Sequence, residues 1–331
     1  MTQVLELNPE HPQQDAITLA ASIIRDGGLV AFPTETVYGL GANAMNENAV
    51  QKIFEAKGRP SDNPCIVHVS NRQMLEQVST AINPNAELLM KNFWPGPLTL
   101  VLDRKSDVPS LVSAGLSTIA VRMPNNKIAL ELIQASGVPI AAPSANSSGR
   151  PSPTTAMHVF DDLTGRVDLI IDGGATKIGI ESSVLDMTTD PPIILRPGWV
   201  TAEMLQSVIG VLGDSASEED LRRSPGTRHR HYSPRARVIL IEHGPTQQIE
   251  KLCRAQLSNG SVGFVGHSRL SINDDSFYPI YLEAEADKYA HSIYWALREL
   301  DSRNPKVIVV EGINDEGVGA SVMDRLRRAA S

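Results

Sequence analysis

Two basic side chains, Lys57 and Arg59, stand two residues apart at the end of a predicted helix. The helix runs from about Asn48 to Lys57, and Gly58 closes it, as glycine commonly does. Cations in this arrangement can hold a phosphate or a carboxylate. Lys and Arg are also common in a last helical turn because the helix dipole favours them there. The pair alone therefore leaves both an anion site and a structural role open.

Hydroxyl, amide and basic side chains recur where predicted strands end. They are Thr34, Thr36, His68, Arg122, Ser144, Asn146, Ser182, Ser183 and Arg196. In α/β sheets ligands gather at strand ends, so these residues can converge on one pocket. Each type also has a structural alternative: a surface salt bridge for the arginines, a turn for Ser144 and Asn146, and a core position for His68.

The apolar pattern predicts the elements that position these side chains. Predicted helices cover 15–25, 48–57, 72–78, 85–93, 127–135, 153–161 and 201–210, and predicted strands cover 29–32, 65–69, 98–102, 117–122, 138–142, 169–172, 182–187 and 193–196. The last two strands form a predicted hairpin around Asp190-Pro191-Pro192.

A change of composition divides the chain. Residues 213–234 are polar, acidic first and basic afterwards, with no helical or strand period. Beyond them strands alternate with helices, which predicts a small parallel α/β domain. We therefore expect a first domain at 1–212, an interdomain linker at 213–236 and a second α/β domain at 237–331.

The composition sets limits on the class of protein. A chain of 331 residues favours two domains, and 41% hydrophobic with 21% charged residues is typical of a globular protein. A net charge of −8 argues against a broad nucleic-acid-binding surface. No apolar run is long enough to span a bilayer, and the first residues lack signal-peptide features, so a cytoplasmic location is expected. Cys65 and Cys253 fit buried reduced thiols.

Common nucleotide and metal motifs are missing from the sequence. It contains no GxxxxGK[ST] phosphate loop, no GxSxG elbow and no His/Cys/Asp cluster with metal-ligand spacing. Any nucleotide must therefore bind without these loops, and protein ligands for a metal are unknown at this stage.

Four motifs in order carry a family resemblance: PTETVYGLG, KGRP, PSAN and the ESSV…ILRPG run. With them the chain resembles the threonylcarbamoyl-adenylate synthases of the YrdC-like fold, and the SPGTRHRHYSP segment and α/β tail are similar to the two-domain form. The resemblance implies a twisted mixed sheet with helices that form a concave basic pocket, followed by a smaller Rossmann-like parallel domain. Lys57 and Arg59 match the K-x-R motif, and Ser144 and Asn146 match S-x-N.

The resemblance also implies a reaction. L-threonine and bicarbonate give N-carboxy-threonine, whose carboxylate attacks the α-phosphorus of ATP, so that threonylcarbamoyl-adenylate and pyrophosphate leave. Mg²⁺ is expected to arrive with ATP. Partner proteins then transfer the threonylcarbamoyl group to an adenosine of tRNA. The implied threonine contacts are Thr36, His68, Arg122, Ala142 and Ser182, and the implied nucleotide contacts are Arg59, Asn63, Thr118, Ser144, Asn146, Ser152, Arg196 and Tyr232.

Two expectations accompany this resemblance. Lys57 and Arg59, as the implied catalytic cations, are expected to be exposed without ligand, so that their replacement leaves thermal stability unchanged. The segment from Ser224 to Pro234, with Arg228, Arg230 and Tyr232, is expected to act as a lid that closes over the nucleotide.

Two competing functions stay open. The basic run from Arg222 to His231 can contact RNA phosphates, so the chain can be a non-catalytic RNA-binding module, or an enzyme with weak RNA contact. The acidic total and the lack of interleaved aromatic residues argue against this reading. A carbamoyl-transfer enzyme of the same fold would need further modules that this sequence lacks.

Overall fold

The computed structural model describes residues 1–214, 216–225 and 232–331. The chain divides into two compact units. The first comprises Met1–Ser148, Pro153–Lys177 and Glu181–Arg228, and the second comprises Gly149–Ser152, Ile178–Ile180 and His229–Ser331. Two short segments that interrupt the first unit in sequence thus belong to the second. The linker predicted at 213–236 stays a prediction.

The first unit is built on a ten-stranded mixed sheet. Its strands are β1 (Gln3–Glu6), β2 (Val30–Phe32), β3 (Gly39–Asn43), β4 (Ile66–His68), β5 (Leu98–Asp103), β6 (Thr118–Arg122), β7 (Ile140–Ala141), β8 (Leu169–Asp172), β9 (Ser183–Asp186) and β10 (Ile193–Arg196). Their spatial order is β1-β8-β2-β3-β7-β4-β6-β5-β9-β10. Strands β9 and β10 pair antiparallel, which confirms the predicted hairpin.

Helices surround this sheet. They are α1 (Gln14–Arg25), α2 (Glu47–Lys57), α3 (Arg72–Val78), α4 (Pro84–Phe93), α5 (Lys127–Ser136), α6 (Ala156–Leu163), α7 (Ala202–Ile209) and α8 (Glu218–Leu221), with a 3₁₀ turn at Ser110–Ser113. Polar caps fix several starts: the side chain of Asn46 accepts the Ala49 N–H at the start of α2. The predicted start of α6 at Pro153 is three residues early, because Thr155 is the residue that caps this helix.

The strand register separates two faces of the sheet. Val67 and Val121 point into the main core, together with most of the helices' apolar residues. The residues that alternate with them, Ile66 and Ala120, belong to a small separate apolar cluster on the other face. Because partners in register share a face, His68 and Arg122 lie side by side on that second face.

The second unit contains a four-stranded parallel sheet. Its strands are β11 (Arg237–Ile241), β12 (Val262–Gly266), β13 (Phe277–Tyr281) and β14 (Val307–Glu311), and its helices are α9 (Thr246–Leu257), α10 (Ala286–Ser302) and α11 (Val318–Ala330). The strand order is β11-β14-β12-β13, and every pair is parallel. The predicted fold class, a mixed α/β sheet followed by a parallel α/β domain, is confirmed.

The two inserted segments pack inside the second unit. Arg298 of α10 donates from Nε and from one terminal nitrogen to the carbonyl oxygen of Pro151. Gly179 lies so close to α10 that a Cβ there would come within 2.5 Å of the carbonyl oxygen of Ala290. Only glycine fits this approach at its φ of 88°.

Three short elements were not predicted. The four residues of β1 form an edge strand beside β8, and β3 contains two glycines, so neither shows an alternating pattern. The third is α8, which lies in the polar stretch 213–234, where the sequence shows no helical period, and which has a reciprocal cap between Ser217 and Asp220. Four residues are too few to show a helical period. Among the described residues, no helix has the length and apolar character required to cross a bilayer.

Candidate active site

The predicted cation pair is buried in the first unit. Lys57 is 3% exposed and Arg59 is 9% exposed, so the expectation that both are exposed is wrong. The reason is local. Gly58 takes a φ of 63°, which lets the chain reverse at the end of α2, and the Arg59 N–H then returns to the carbonyl oxygen of Phe54. The reversal directs both side chains inward.

Lys57 is bonded to the turn that contains the S-x-N motif. Its Nζ donates to the carbonyl oxygens of Ser144 and Asn146, and its own carbonyl accepts from Ser148 N at 2.8 Å. Residues 87 positions apart in the sequence are thereby brought together. The Asn146 side chain accepts the Ser144 hydroxyl and donates to the carbonyl of Ser147. Lys57 of the K-x-R motif is thus bonded directly to the turn that contains the S-x-N motif.

Arg59 holds the loop that leads into β4. Its Nε donates to the carbonyl of Asn63 at 3.3 Å and a terminal nitrogen donates to the carbonyl of Pro64 at 2.9 Å. The Asn63 residue is fully buried. Thr118 begins β6, which runs parallel to β4, so Thr118 lies at the same end of these strands as this loop. Arg59, Asn63 and Thr118 are all predicted nucleotide contacts.

A second cluster centres on Arg122, the last residue of β6. Its guanidinium forms a buried ion pair with Glu35 at 2.7 Å. It also donates to Thr36 Oγ1 at 2.9 Å and to the carbonyl of Gly96 at 3.1 Å. Because each of its three nitrogens has a partner, the guanidinium is fixed in orientation. Glu35 was not among the predicted site residues, although it stands in the PTET turn.

Ser182 and Arg196 complete this side of the sheet. The Ser182 and Thr99 hydroxyl oxygens are 2.8 Å apart, and Arg196 donates to both the carbonyl and the hydroxyl of Ser182. Arg196 also donates to the carbonyl of Pro225 at 3.0 Å. Thr99 was missed because it lies in the middle of an apolar strand, where the sequence alone does not separate a site residue from a core residue.

His68 is buried beside Arg122. The ring packs edge-on against Phe32, and its Nδ1 makes no hydrogen bond within the described residues. Burial, and secondly the charge of Arg122, lower the pKa of His68 to about 3. The imidazole is therefore neutral at physiological pH. A buried polar atom without a partner is uncommon in proteins, so this Nδ1 is a candidate ligand contact.

The lowered pKa predicts how stability depends on pH. The unfolded chain binds more protons at His68 than the folded chain does between about pH 6.5 and the folded pKa of about 3. We therefore expect no penalty above pH 6.5 and a loss of about 1.4 kcal/mol of unfolding free energy per pH unit below it. The unfolding free energy should be measured by denaturant unfolding at several pH values for the wild type, for His68→Asn and for the exposed-site control His11→Asn. Below pH 6.5 it should fall less steeply with decreasing pH in His68→Asn than in the other two proteins. Equal slopes in all three would contradict this assignment.

The remaining predicted positions lie as follows. The backbone N–H of Ala142 donates to the carbonyl oxygen of Ile66, and Ala142 is buried. Ser152 and Tyr232 belong to the second unit, where Tyr232 stacks on Tyr294 with 5.6 Å between ring centres. Their nucleotide roles stay predictions. Most of the predicted lid, including Arg228 and Arg230, lies outside the described residues, so the lid also stays a prediction.

The described residues bear on metal binding and on the basic run considered for RNA. Within the described residues, no three His, Cys, Asp or Glu side chains are grouped so as to hold a metal ion. Arg223, from the basic run considered for RNA, forms ion pairs with Asp186 at 2.6 Å and with Asp220 at 3.2 Å. The part of that run from Arg228 to His231 lies outside the described residues.

The fold and the two clusters define a YrdC-like domain joined to a parallel α/β domain. Comparison with family models agrees. Residues 22–198 match the Sua5_yciO_yrdC model, described as "Telomere recombination", and residues 200–331 match the model for the C-terminal domain of threonylcarbamoyl-AMP synthase.

Relatives of known name extend over the whole chain. A threonylcarbamoyl-AMP synthase of Pyrococcus abyssi is 46% identical over 100% of this chain and 98% of its own length, and one of Bacillus subtilis is 45% identical over 98% and 95%. A crystal structure of P. abyssi Sua5 with L-threonine superimposes with a TM-score of 0.91, at 45% identity over 100% of this chain and 97% of that chain. The chain belongs to the two-domain threonylcarbamoyl-AMP synthase family.

Proposed function

We propose that this chain is a threonylcarbamoyl-AMP synthase, which converts L-threonine, bicarbonate and ATP to threonylcarbamoyl-AMP and pyrophosphate. The observation that carries the proposal is the bonding of Lys57 to the Ser144–Asn146 turn, which joins the two family motifs in one buried basic cluster. The full-length relatives support it, since both are named threonylcarbamoyl-AMP synthase. They favour it over a non-catalytic RNA-binding module.

The chemistry asks for positioning more than for a reactive side chain. The threonine nitrogen attacks the carbon of bicarbonate, and loss of water gives the N-carboxy group. A carboxylate oxygen of that group then attacks the α-phosphorus, and the bond from phosphorus to the bridging oxygen breaks as pyrophosphate leaves. Such a transfer is accelerated by alignment and by charge stabilisation. No covalent intermediate with the protein is required.

The Arg122 cluster is proposed to bind threonine. Three nitrogens of Arg122 are already anchored, yet a guanidinium has five N–H groups, so its terminal nitrogens can also meet a substrate carboxylate. The neutral His68 can accept or donate a hydrogen bond at Nδ1, which suits the threonine hydroxyl. Thr36, Ser182 and the backbone at Ala142 complete the proposed contacts.

The Lys57 and Arg59 cluster is proposed to serve ATP. We assign charge stabilisation on the leaving pyrophosphate to Lys57 and Arg59, and nucleotide contacts to Asn63, Thr118, Ser144, Asn146, Ser152, Arg196 and Tyr232. The described residues offer no carboxylate cage beside the cations. We propose that a Mg²⁺ ion would enter with the phosphates, where it would neutralise charge on the leaving group.

The chemistry of the product indicates which partner proteins the enzyme needs. A mixed anhydride of this kind is destroyed by water, so a downstream protein must take the threonylcarbamoyl group and deliver it to tRNA. We propose such tRNA-modifying proteins as partners, with at most weak RNA contact by this chain itself. The substrates ATP and threonine, and the tRNA to which the threonylcarbamoyl group is delivered, meet in the cytoplasm, which is the proposed location.

The proposed reaction predicts a strict substrate requirement. Pyrophosphate release from ATP should need threonine and bicarbonate together. Valine in place of threonine should be rejected strongly, because a site that hydrogen-bonds the hydroxyl would be left with unpaired polar groups. The measurement is coupled pyrophosphate release, with mass spectrometry of the adenylate. Equal release from ATP alone, or equal rates with valine, would contradict the proposal.

A further inference from the structure

The topology of the second unit marks one place for a ligand. Strands β11 and β14 are neighbours, yet the chain leaves them towards opposite faces of the sheet. From β11 it enters α9, which shares an apolar cluster with Val307, Val309 and Phe264. The opposite face of the sheet is covered by α10, since a Cβ on Gly263 of β12 would lie 3.1 Å from Leu300.

Helix α11 lies on the same face as α10. It follows β14 and packs against both α10 and β11. The connections after β11 and β14 therefore diverge, one to each face. In open parallel α/β sheets, ligands bind in the crevice formed where neighbouring connections diverge at the carboxyl ends of the strands.

A cavity of about 280 Å³ lies at this point. It is lined by the residues that follow β11, β12 and β14, together with the last residue of β14. These are Glu242, His243, Gly244, His267, Glu311, Gly312, Ile313 and Asn314. The cavity and the divergence of the two connections are independent observations, and they identify the same place.

Glu311 provides a preformed hydrogen-bond acceptor in the cavity. The residue is 6% exposed, and its Oε2 accepts the N–H groups of His267 at 2.8 Å and Ser268 at 2.7 Å. Its Oε1 accepts the Ser268 hydroxyl and lies 3.3 Å from His267 Nε2. A Cβ on Gly266 would approach Oε2 to 2.4 Å, so glycine is required for this fixed carboxylate. Fixed acceptors suit a ligand that offers hydroxyl donors.

The charges around the cavity disfavour an anion. Glu242 is paired with Arg327 at 2.6 Å, and Arg327 also binds Asp315 at 2.6 Å. With Glu311 there are three carboxylates for one arginine, so these four side chains together carry a net negative charge. A phosphate would be repelled, whereas a neutral ligand with adjacent hydroxyls would not.

We propose that this cavity binds a nucleoside, with one ribose hydroxyl donated to Oε1 of Glu311, the oxygen that accepts a single hydrogen bond in the structure, and its base against Ile313. A carboxylate at the carboxyl end of a strand is a recurrent ribose-binding device in parallel α/β folds. The volume is close to the lower range of small-molecule pockets and suits a ligand of this size. The site is distinct from the proposed catalytic clusters and does not depend on their assignment.

Calorimetry with adenosine tests the proposal on the full-length chain. Excess ATP is present throughout, without threonine or bicarbonate, to occupy any nucleotide site elsewhere. We expect one adenosine site in the wild type, and at least about tenfold weaker binding in Glu311→Gln, which loses a charged acceptor. AMP should bind more weakly than adenosine because its phosphate is repelled.

Two matched variants keep the test decisive if Glu311→Gln is unstable. Asn314→Trp fills the cavity from an exposed position and leaves the Glu311 contacts in place, so it should abolish binding. Asn259→Trp is the control, since Asn259 is exposed and precedes β12, at the opposite end of the strands. No binding to the wild type up to about 1 mM, or binding that Asn314→Trp leaves unchanged, would overturn the proposal.

Discussion

Replacing Lys57 with alanine is expected to lower turnover by about 10²-fold or more and also to lower stability. The activity loss follows from removing a preorganised positive charge beside the proposed triphosphate site. The stability loss follows from the carbonyls of Ser144 and Asn146, which would be left without their donor in a buried place, at a cost of about 1–3 kcal/mol. Chemical denaturation and pyrophosphate release measure the two effects separately.

The magnitudes allow the two effects to be told apart. Folded domains are stable by about 5–15 kcal/mol, so a loss of 1–3 kcal/mol leaves nearly all molecules folded, and unfolding cannot account for a hundredfold loss of turnover. Lys52→Ala is a matched control, because Lys52 lies on the same helix and donates to the carbonyl of Gly27. It should keep its activity. A Lys57→Ala protein that is destabilised but fully active would show that the residue is only structural.

Replacing Arg122 with methionine is expected to destabilise the protein by about 3–5 kcal/mol and to abolish activity. The change leaves Glu35 as a carboxylate without its cation. This lowers the free energy of unfolding because the Glu35 side chain is only 6% exposed. Thr36 and the carbonyl of Gly96 also lose their donor. The unfolding free energy and pyrophosphate release should be measured on the same preparations.

A double variant separates charge burial from function. Arg122→Met with Glu35→Gln removes both charges, so most of the stability should return while activity stays lost, because the proposed threonine contact is missing. The exposed pair of Arg72 and Glu76, with side chains 49% and 58% exposed, is the control, and Arg72→Met should cost at most about 1 kcal/mol. Similar losses for Arg122→Met and Arg72→Met would contradict the buried ion pair.

The sequence by itself determined the features that depend on neighbouring residues. The helix that ends at Gly58, the hairpin of β9 and β10 and the alternating tail were all predicted, because caps, turns and apolar periods act over a few residues. The order of the four motifs also identified the family, which the relatives confirm. Boundaries such as the start of α6 were displaced by a cap that the periodicity does not show.

Only the tertiary structure decided which of these side chains are buried and what they touch. Lys57 stands at a helix end that would be exposed in an isolated helix, and it is buried because a turn 87 residues away covers it. Glu35 and Thr99 join the candidate site only through partners far along the chain, Arg122 and Ser182. The cavity beside Glu311 exists because β14 lies between β11 and β12 in space although it follows them in sequence. Contacts of this range depend on strand order, and local patterns of residues do not encode strand order.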